Sequence, residues 1–294
     1  MDKEFNLITA LRTILKWKLH ILILAITSGI IAAIFSVYVM DEWFLSWSTF
    51  YPTNQALSDR VNIFNTDASV QVEYFGTKQD VNRILTIANS NPVIEYVIDS
   101  FRLADHYKIA SDKPYRKTIV RKKFEKKYEA IKTEHDAIQV SFYDTDPKVA
   151  AAIVNAVTEK VDQLNKEHVS QTKQKSYEAI ARQTLKLQED VNGYIDTLAK
   201  LGQQYKVKVS SGADGTIIVD GSDYHAVQLY KSIMAKQTNA ARELNNLTNI
   251  KGQLDVSMQN NETSLVVMES AFPAERREKP VRSLVVILTM LITT

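Results

Sequence analysis

From Pro147 to Tyr205 the chain reads PKVAAAIVNAVTEKVDQLNKEHVSQTKQKSYEAIARQTLKLQEDVNGYIDTLAKLGQQY. No proline follows Pro147, and Gly193 and Gly202 are the only glycines, so nothing here forces a helix to stop. Asp146 is placed to cap the first turn, and Pro147 at the first helical position gives up no hydrogen bond the helix needs. Val149, Ile153, Val157, Val161 and Leu164 mark one apolar face. Farther on, Leu187, Val191, Tyr194, Leu198, Leu201 and Tyr205 alternate by four and three, a heptad seam for a partner helix in the same chain or a neighbouring one. At ~1.5 Å per residue one helix over this stretch is about 90 Å long. A second seam, Val227, Tyr230, Met234, Ala241, Leu244, Leu247, Leu254 and Met258, follows a turn-rich loop at Ser210–Ser222. The spacing predicts a long antiparallel helical hairpin over 147–258.

Working toward the N-terminus, the residues ahead of the hairpin predict what carries it. Residues 1–18 are a short amphipathic lead, with Phe5, Ile8, Leu11 and Leu15 against Arg12, Lys16 and Lys18. Residues 19–40 hold no Asp, Glu, Lys or Arg and are long enough to cross about 30 Å of hydrocarbon. A signal peptide would have a shorter apolar core and a small-residue cleavage site, which does not follow Met40. Basic residues precede the span and Asp41 and Glu42 follow it, so the lead is expected inside and the bulk of the chain outside. Trp43, Phe44, Trp47, Phe50 and Tyr51 read as an interfacial aromatic belt merging into a first strand. Alternation predicts further strands at Ser69–Phe75, Ala137–Tyr143 and Ser264–Ser270. Helices are expected at Asp80–Ala88, from Asn91-Pro92 through a buried Phe101, and at Lys113–Lys127 with Tyr115, Ile119, Val120 and Phe124 inward. The fold class is therefore α+β: a small α/β base at 41–146 with a returning strand within 259–272, interrupted by the hairpin.

At the far end, Pro273 and Pro280 lie in a charged linker, 273–282. Residues 283–294 then open a second apolar span, whose roughly 18 Å of helix stops short of a bilayer's width. Arg276, Arg277, Lys279 and Arg282 precede this span on the outer side, where anionic headgroups can accommodate them.

Composition excludes several kinds of chemistry. With no cysteine there is no disulfide framework, thiolate zinc site or thiol nucleophile. No glycine is followed by lysine, so a Walker-type phosphate loop is absent. A net charge of +2 leaves no footprint for nucleic acid. The five histidines are not spaced as helical metal pairs, and Asp214, Asp220 and Asp223 lack the pattern of a calcium loop. Asp144 and Asp146 form a carboxylate pair at a strand end, which reads more readily as helix capping than as acid–base machinery. Arg116, Lys117, Arg121, Lys122 and Lys123 on the basic helix are candidates for anionic lipid or glycan contact; a solvated face, or a contact with a neighbour's acidic residues, remains open. No nucleophile, base and oxyanion donor can be assembled, so no enzyme activity and no cofactor are expected.

The junction IQVSFYDTDPKVAAAIVNAV, Ile138–Val157, resembles the corresponding strand-to-helix junction of the chain-length determinant (Wzz-type) family, the polysaccharide co-polymerases. Asp144, Asp146, Pro147, Ala150, Ala151, Val154 and Asn155 carry the pattern. The lead and NSNPVIEYVIDSFRL, Asn89–Leu103, are similar to that family as well, and Pro273 and Pro280 stand where it has a proline cluster. The resemblance implies a two-span inner-membrane protein of Gram-negative bacteria, with its bulk in the periplasm and its copies packed in a ring. It further implies no catalytic residues, a polysaccharide polymerase or export machinery as partner, a lipid-linked glycan close by, and control of the length of lipopolysaccharide O-antigen or capsule. Read without the resemblance, the same layout also suits a two-span sensor with a periplasmic helical ligand-binding domain.

Overall fold

The computed structural model describes residues 7–54, 75–212, 217–259 and 263–293, with side chains from residue 16 onward. The predicted strand at Ser69–Phe75 lies, but for Phe75, outside the described residues. In chain order the elements are α1 (Leu7–Tyr38), β1 (Phe44–Pro52), α2 (Lys78–Ala88), α3 (Asn91–Ser100), α4 (Leu103–His106), α5 (Arg116–Glu125), β2 (Tyr128–Lys132) and β3 (Ile138–Asp144). They continue with α6 (Pro147–Tyr205), β4 (Lys208–Ser211), β5 (Ile217–Asp220), α7 (Tyr224–Gln259), β6 (Leu265–Glu269) and α8 (Arg282–Thr293). Two compact units result: Met1–Pro52 with Thr77–Asp162 and Leu265–Thr294, and Thr53–Gly76 with Gln163–Ser264.

In the first unit a four-stranded antiparallel sheet runs β2-β3-β1-β6. Period two along β3 puts Ile138, Val140, Phe142 and Asp144 on the buried face. Against that face pack Val81, Ile84 and Ala88 of α2, Val93 and Val97 of α3, and Val120 and Phe124 of α5. Phe124 lies 5.2 Å from Phe142 and 5.0 Å from Tyr128, centroid to centroid. The first turns of α6 bury Ala150, Ala151, Ile153, Val154, Val157 and Val161, the stripe of a helix laid on a core. Asn155 ties that helix to the strand end reciprocally, its Nδ2 donating to Ala271 O at 2.9 Å and its Oδ1 accepting from Ala271 N at 3.0 Å.

α1 contains Lys16–Tyr38, 23 residues long and apolar enough to cross a membrane, and only 17% of its most apolar window is buried. That exposure separates it from the core helix of a soluble protein. α8 is a short apolar helix of 12 residues running antiparallel along α1. Glu42 meets Arg277 and Arg282 at one end, and Ser28 Oγ lies 2.8 Å from Thr293 Oγ1 at the other. Gly29 provides the close approach, since a Cβ there would run into the end of the Met290 side chain.

The second unit holds the rest of α6, beyond Asp162, and α7. Lys173 Nζ donates to Ser257 O at 3.3 Å, Lys251 Nζ lies 5.6 Å from the Tyr177 ring centre, and Gly202 faces Tyr230. Residue numbers rise on one helix as they fall on the other, so the two are antiparallel.

Four expectations are corrected. The turn-rich loop at Ser210–Ser222 is built around a two-stranded ladder, with Ser211 opposite Ile217 and Lys208 opposite Asp220. Ile217, Ile218 and Val219 form a β-branched run, and its strand preference outweighs the surrounding turn residues. Tyr115 does not pack inward: the basic helix starts at Arg116, and Tyr115 stands at its N-cap in a left-handed conformation, 82% exposed. Phe101 lies past the end of α3 and is only half-buried, because helical periodicity no longer aims its ring at the core. Phe50 is core rather than interfacial belt, because alternation along β1 turns it inward.

Candidate functional site

The junction carboxylates separate into two roles. Asp146 caps α6, its Oδ1 accepting from Lys148 N at 2.8 Å. Asp144 does not cap the helix. As the last inward residue of β3 its side chain has no exposure, and it accepts from His106 Nε2 at 2.9 and 3.1 Å and from Asp146 N at 3.0 Å. Lys127 Nζ stands 3.9 Å from its other oxygen. A buried carboxylate needs such partners, since an unpaired one would pay its full desolvation. The sequence reading placed Lys127 in the basic helix but not beside Asp144, and it did not single out His106 or Tyr107 as neighbours of that carboxylate; the one available signal was that Asp144 continues the inward period of Ile138, Val140 and Phe142.

Lys127 also lies over two rings, 3.9 Å from the Tyr107 centroid and 4.5 Å from that of Trp43. Burial lowers its pKa and neighbouring Lys123 adds to this, while Asp144 pulls the other way. Burial, and secondarily Asp144, raises the Tyr107 phenol. The Tyr107 hydroxyl is itself buried with no hydrogen-bond partner among the described residues.

The basic helix has two unlike sides. Arg116, Lys117 and Arg121 line a cavity of about 510 Å³ that also holds Glu95, Asp99 and Asp105. Arg116 pairs with Asp105 at 2.6 Å, and Arg121 pairs with Glu125 at 2.7 Å and donates to Asn91 Oδ1 at 2.6 Å. These guanidiniums are therefore engaged within the fold. Lys122 is exposed on α5 and lines neither cavity. Lys123 lines a second cavity, of about 560 Å³, shared with Asp41, Trp43, His106, Tyr107, Lys126, Lys127, Tyr143, Thr145 and Lys279.

Lys279 is fixed there by main-chain bonds with Trp43, and Pro280 follows through a cis peptide. Pro273 lines a separate shallow cleft with Trp47 and Phe272. On α6, Val191 is buried, and Leu187, Tyr194, Leu198 and Leu201 are half-buried. Asp223 caps α7, accepting from His225 N and Ala226 N; Asp220 accepts from Gly221 N, and Asp214 is outside the described residues. Among the described residues no three His, Asp or Glu side chains gather as a metal site.

No family model and no curated protein matches the chain. Solved structures similar to it include a full-length bacterial polysaccharide co-polymerase, at 12% identity and a TM-score of 0.44, covering 98% of this chain and 94% of that one. A fragment of WzzB, a polysaccharide co-polymerase from Salmonella Typhimurium, is 10% identical with a TM-score of 0.31 over 81% of this chain and all of its own, 100%. The Shigella flexneri lipopolysaccharide O-antigen chain-length regulator WzzBSF is 10% identical with a TM-score of 0.30, covering 80% of this chain and 100% of that one.

Proposed function

We propose that the chain is a non-enzymatic membrane scaffold that assembles with copies of itself and sets the chain length of a surface polysaccharide such as O-antigen or capsule. The observation that carries this reading is the single 59-residue helix that opens at the D-x-D-P junction and is answered by an antiparallel return into β6, beside β1. The junction residues that resemble the chain-length determinant family perform identifiable work at its root: Asp146 caps, Asn155 holds the strand end, and Ala150, Ala151 and Val154 pack on the sheet.

In this reading α1 and α8 are two spans of a bacterial inner membrane, the bulk of the chain is periplasmic, and a polymerase or export machinery working on a lipid-linked glycan is the partner. Self-assembly is supported by apolar side chains the single chain leaves open. Among the described residues β6 is an edge strand with Val267 and Met268 exposed, and Leu185 of α6 is 67% exposed. Assembly would stabilise the fold by mass action. The mechanism is geometric: the ring holds growing chains or polymerase copies for a time fixed by its size.

The test pairs oligomer mass in native membranes with the glycan ladder for Leu185→Asp and Leu198→Asp. The expected result is a smaller or weakened oligomer and a shifted modal length, with sugar linkages unchanged. A dissociated oligomer with an unchanged modal length would contradict the mechanism.

A further inference from the structure

Among the described residues, the cavity beside the end of α1 has more cationic charge than the fold uses. Lys123, Lys126, Lys127 and Lys279 line it, against the carboxylates of Asp41 at its wall and Asp144 beneath it. The C-terminus of α5 contributes only about half a negative charge. Lys127 stands 3.9 Å from Asp144, whereas no carboxylate lies within ion-pair distance of Lys123, Lys126 or Lys279 among the described residues. Folding does not require this excess, since like ammoniums gathered at one mouth repel. In the neighbouring cavity, by contrast, Arg116 and Arg121 are each paired with a carboxylate of the fold, and Glu95 and Asp99 line it together with Arg102 and Lys117.

The ammoniums are also positioned. Lys279 Nζ lies 4.1 Å from the Tyr143 ring centre, and Lys127 sits over Tyr107 and Trp43. Lys279 is joined to Trp43 through Trp43 N to Lys279 O at 2.9 Å, so residues on either side of α1 and α8 meet in one wall. The ring faces hold the ammoniums of Lys127 and Lys279 in place and leave N–H donors that point away from the rings for an acceptor. A volume of about 560 Å³ accommodates more than an inorganic ion. Asp41 and Trp43 follow directly on the membrane helix, which puts the opening at headgroup depth when α1 spans a bilayer.

We infer that this lysine and aromatic cavity binds the phosphate ester of a lipid headgroup, with a diphosphate ester as the best match to its several separated ammoniums. Lys123, Lys126 and Lys279 contact the phosphate oxygens, and Lys127, held by Asp144, closes the floor. The inference does not depend on the polysaccharide reading.

The full chain in nanodiscs separates the sources of phosphate. One arm titrates pyrophosphate into phosphatidylcholine discs. Another compares phosphatidylcholine discs with discs containing phosphatidylglycerol or a polyprenyl diphosphate, following 31P shifts and intrinsic tryptophan emission. Lys126→Gln/Lys279→Gln removes two cations that make no ion pair in the fold, and Arg116→Gln on the other cavity is the control. Binding weakened at least about tenfold by the double variant, and unaffected by the control, supports the site. Saturation by pyrophosphate alone would identify the free diphosphate as sufficient, and a response confined to the lipid discs would identify the headgroup. No binding in any arm, or equal weakening by Arg116→Gln, would overturn the inference.

Discussion

Replacing Asp144 with alanine removes the acceptor on which the junction between β3 and α6 converges. The carboxylate has no solvent exposure, whereas His106 and Lys127 keep 29% and 15% of their side-chain exposure. Breaking a fully buried pair costs about 3–5 kcal/mol. The residual exposure of these two partners moves the expectation to the lower end, about 3 kcal/mol, including the Asp146 amide left without its acceptor. Asp144→Asn keeps an oxygen for that amide and loses only the charge, so about half the loss is expected.

Urea unfolding of the full chain in detergent, followed by tryptophan emission, reads the effect. With a slope of about 2 kcal/mol per molar, the alanine midpoint should fall by about 1.5 M. Lys127→Met should recover part of that loss in the double variant, because it removes the cation stranded over Tyr107 and Trp43. Both Asp144 variants falling within about 0.5 kcal/mol of the parent chain would refute the assignment of Asp144 as the electrostatic centre of the junction.

Tyr107 and Tyr128, both half-buried, should behave oppositely at neutral pH. Tyr128→Phe loses a 2.8 Å bond to Ala88 O and should cost about 1 kcal/mol, whereas Tyr107→Phe deletes an unsatisfied hydroxyl and should be neutral or stabilising. Both phenols are raised by burial, so above about pH 10 the unfolded chain loses protons that the folded chain keeps, and stability falls by up to about 1.4 kcal/mol per pH unit for each tyrosine. Lys127, lowered by burial, acts with the opposite sign, and its contribution rises with pH only until the unfolded lysine itself deprotonates. Melting curves from pH 9 to 12 for the parent chain and Tyr128→Phe check this, and identical alkaline slopes would contradict it. Gly29→Leu should push α8 off α1 because of Met290, lowering disulfide cross-linking between Ser28→Cys and Thr293→Cys several-fold; unchanged cross-linking would place the contact elsewhere.

The long helix was legible because it depends on local signals: a cap, a proline at its start, and no interruption for 59 residues. The strands whose side chains alternate most cleanly, β3 above all, were legible for the same reason. β2 was not, since Tyr128–Lys132 is mostly solvent-facing and is a strand because β3 supplies its hydrogen-bonding edge. The charged site was half legible. Lys123 appeared in the basic run, but Lys279 reaches the same cavity from far along the chain, and His106 reaches Asp144 through the short helix α4. Such pairings are set by tertiary closure, and no spacing in the sequence encodes them. Arg116 and Arg121 looked equally available in sequence, yet their acidic partners come from α4 and from their own helix.

The central claim concerns the long helical excursion as a device that measures polymer length. The direct test is the size distribution of surface polysaccharide, resolved on a gel, from cells with the gene, without it, and with it restored. The account predicts a clustered ladder that collapses to a random, short-biased one on deletion and returns on restoration, with sugar composition unchanged. An identical distribution in all three, for both lipopolysaccharide and capsule, would contradict it.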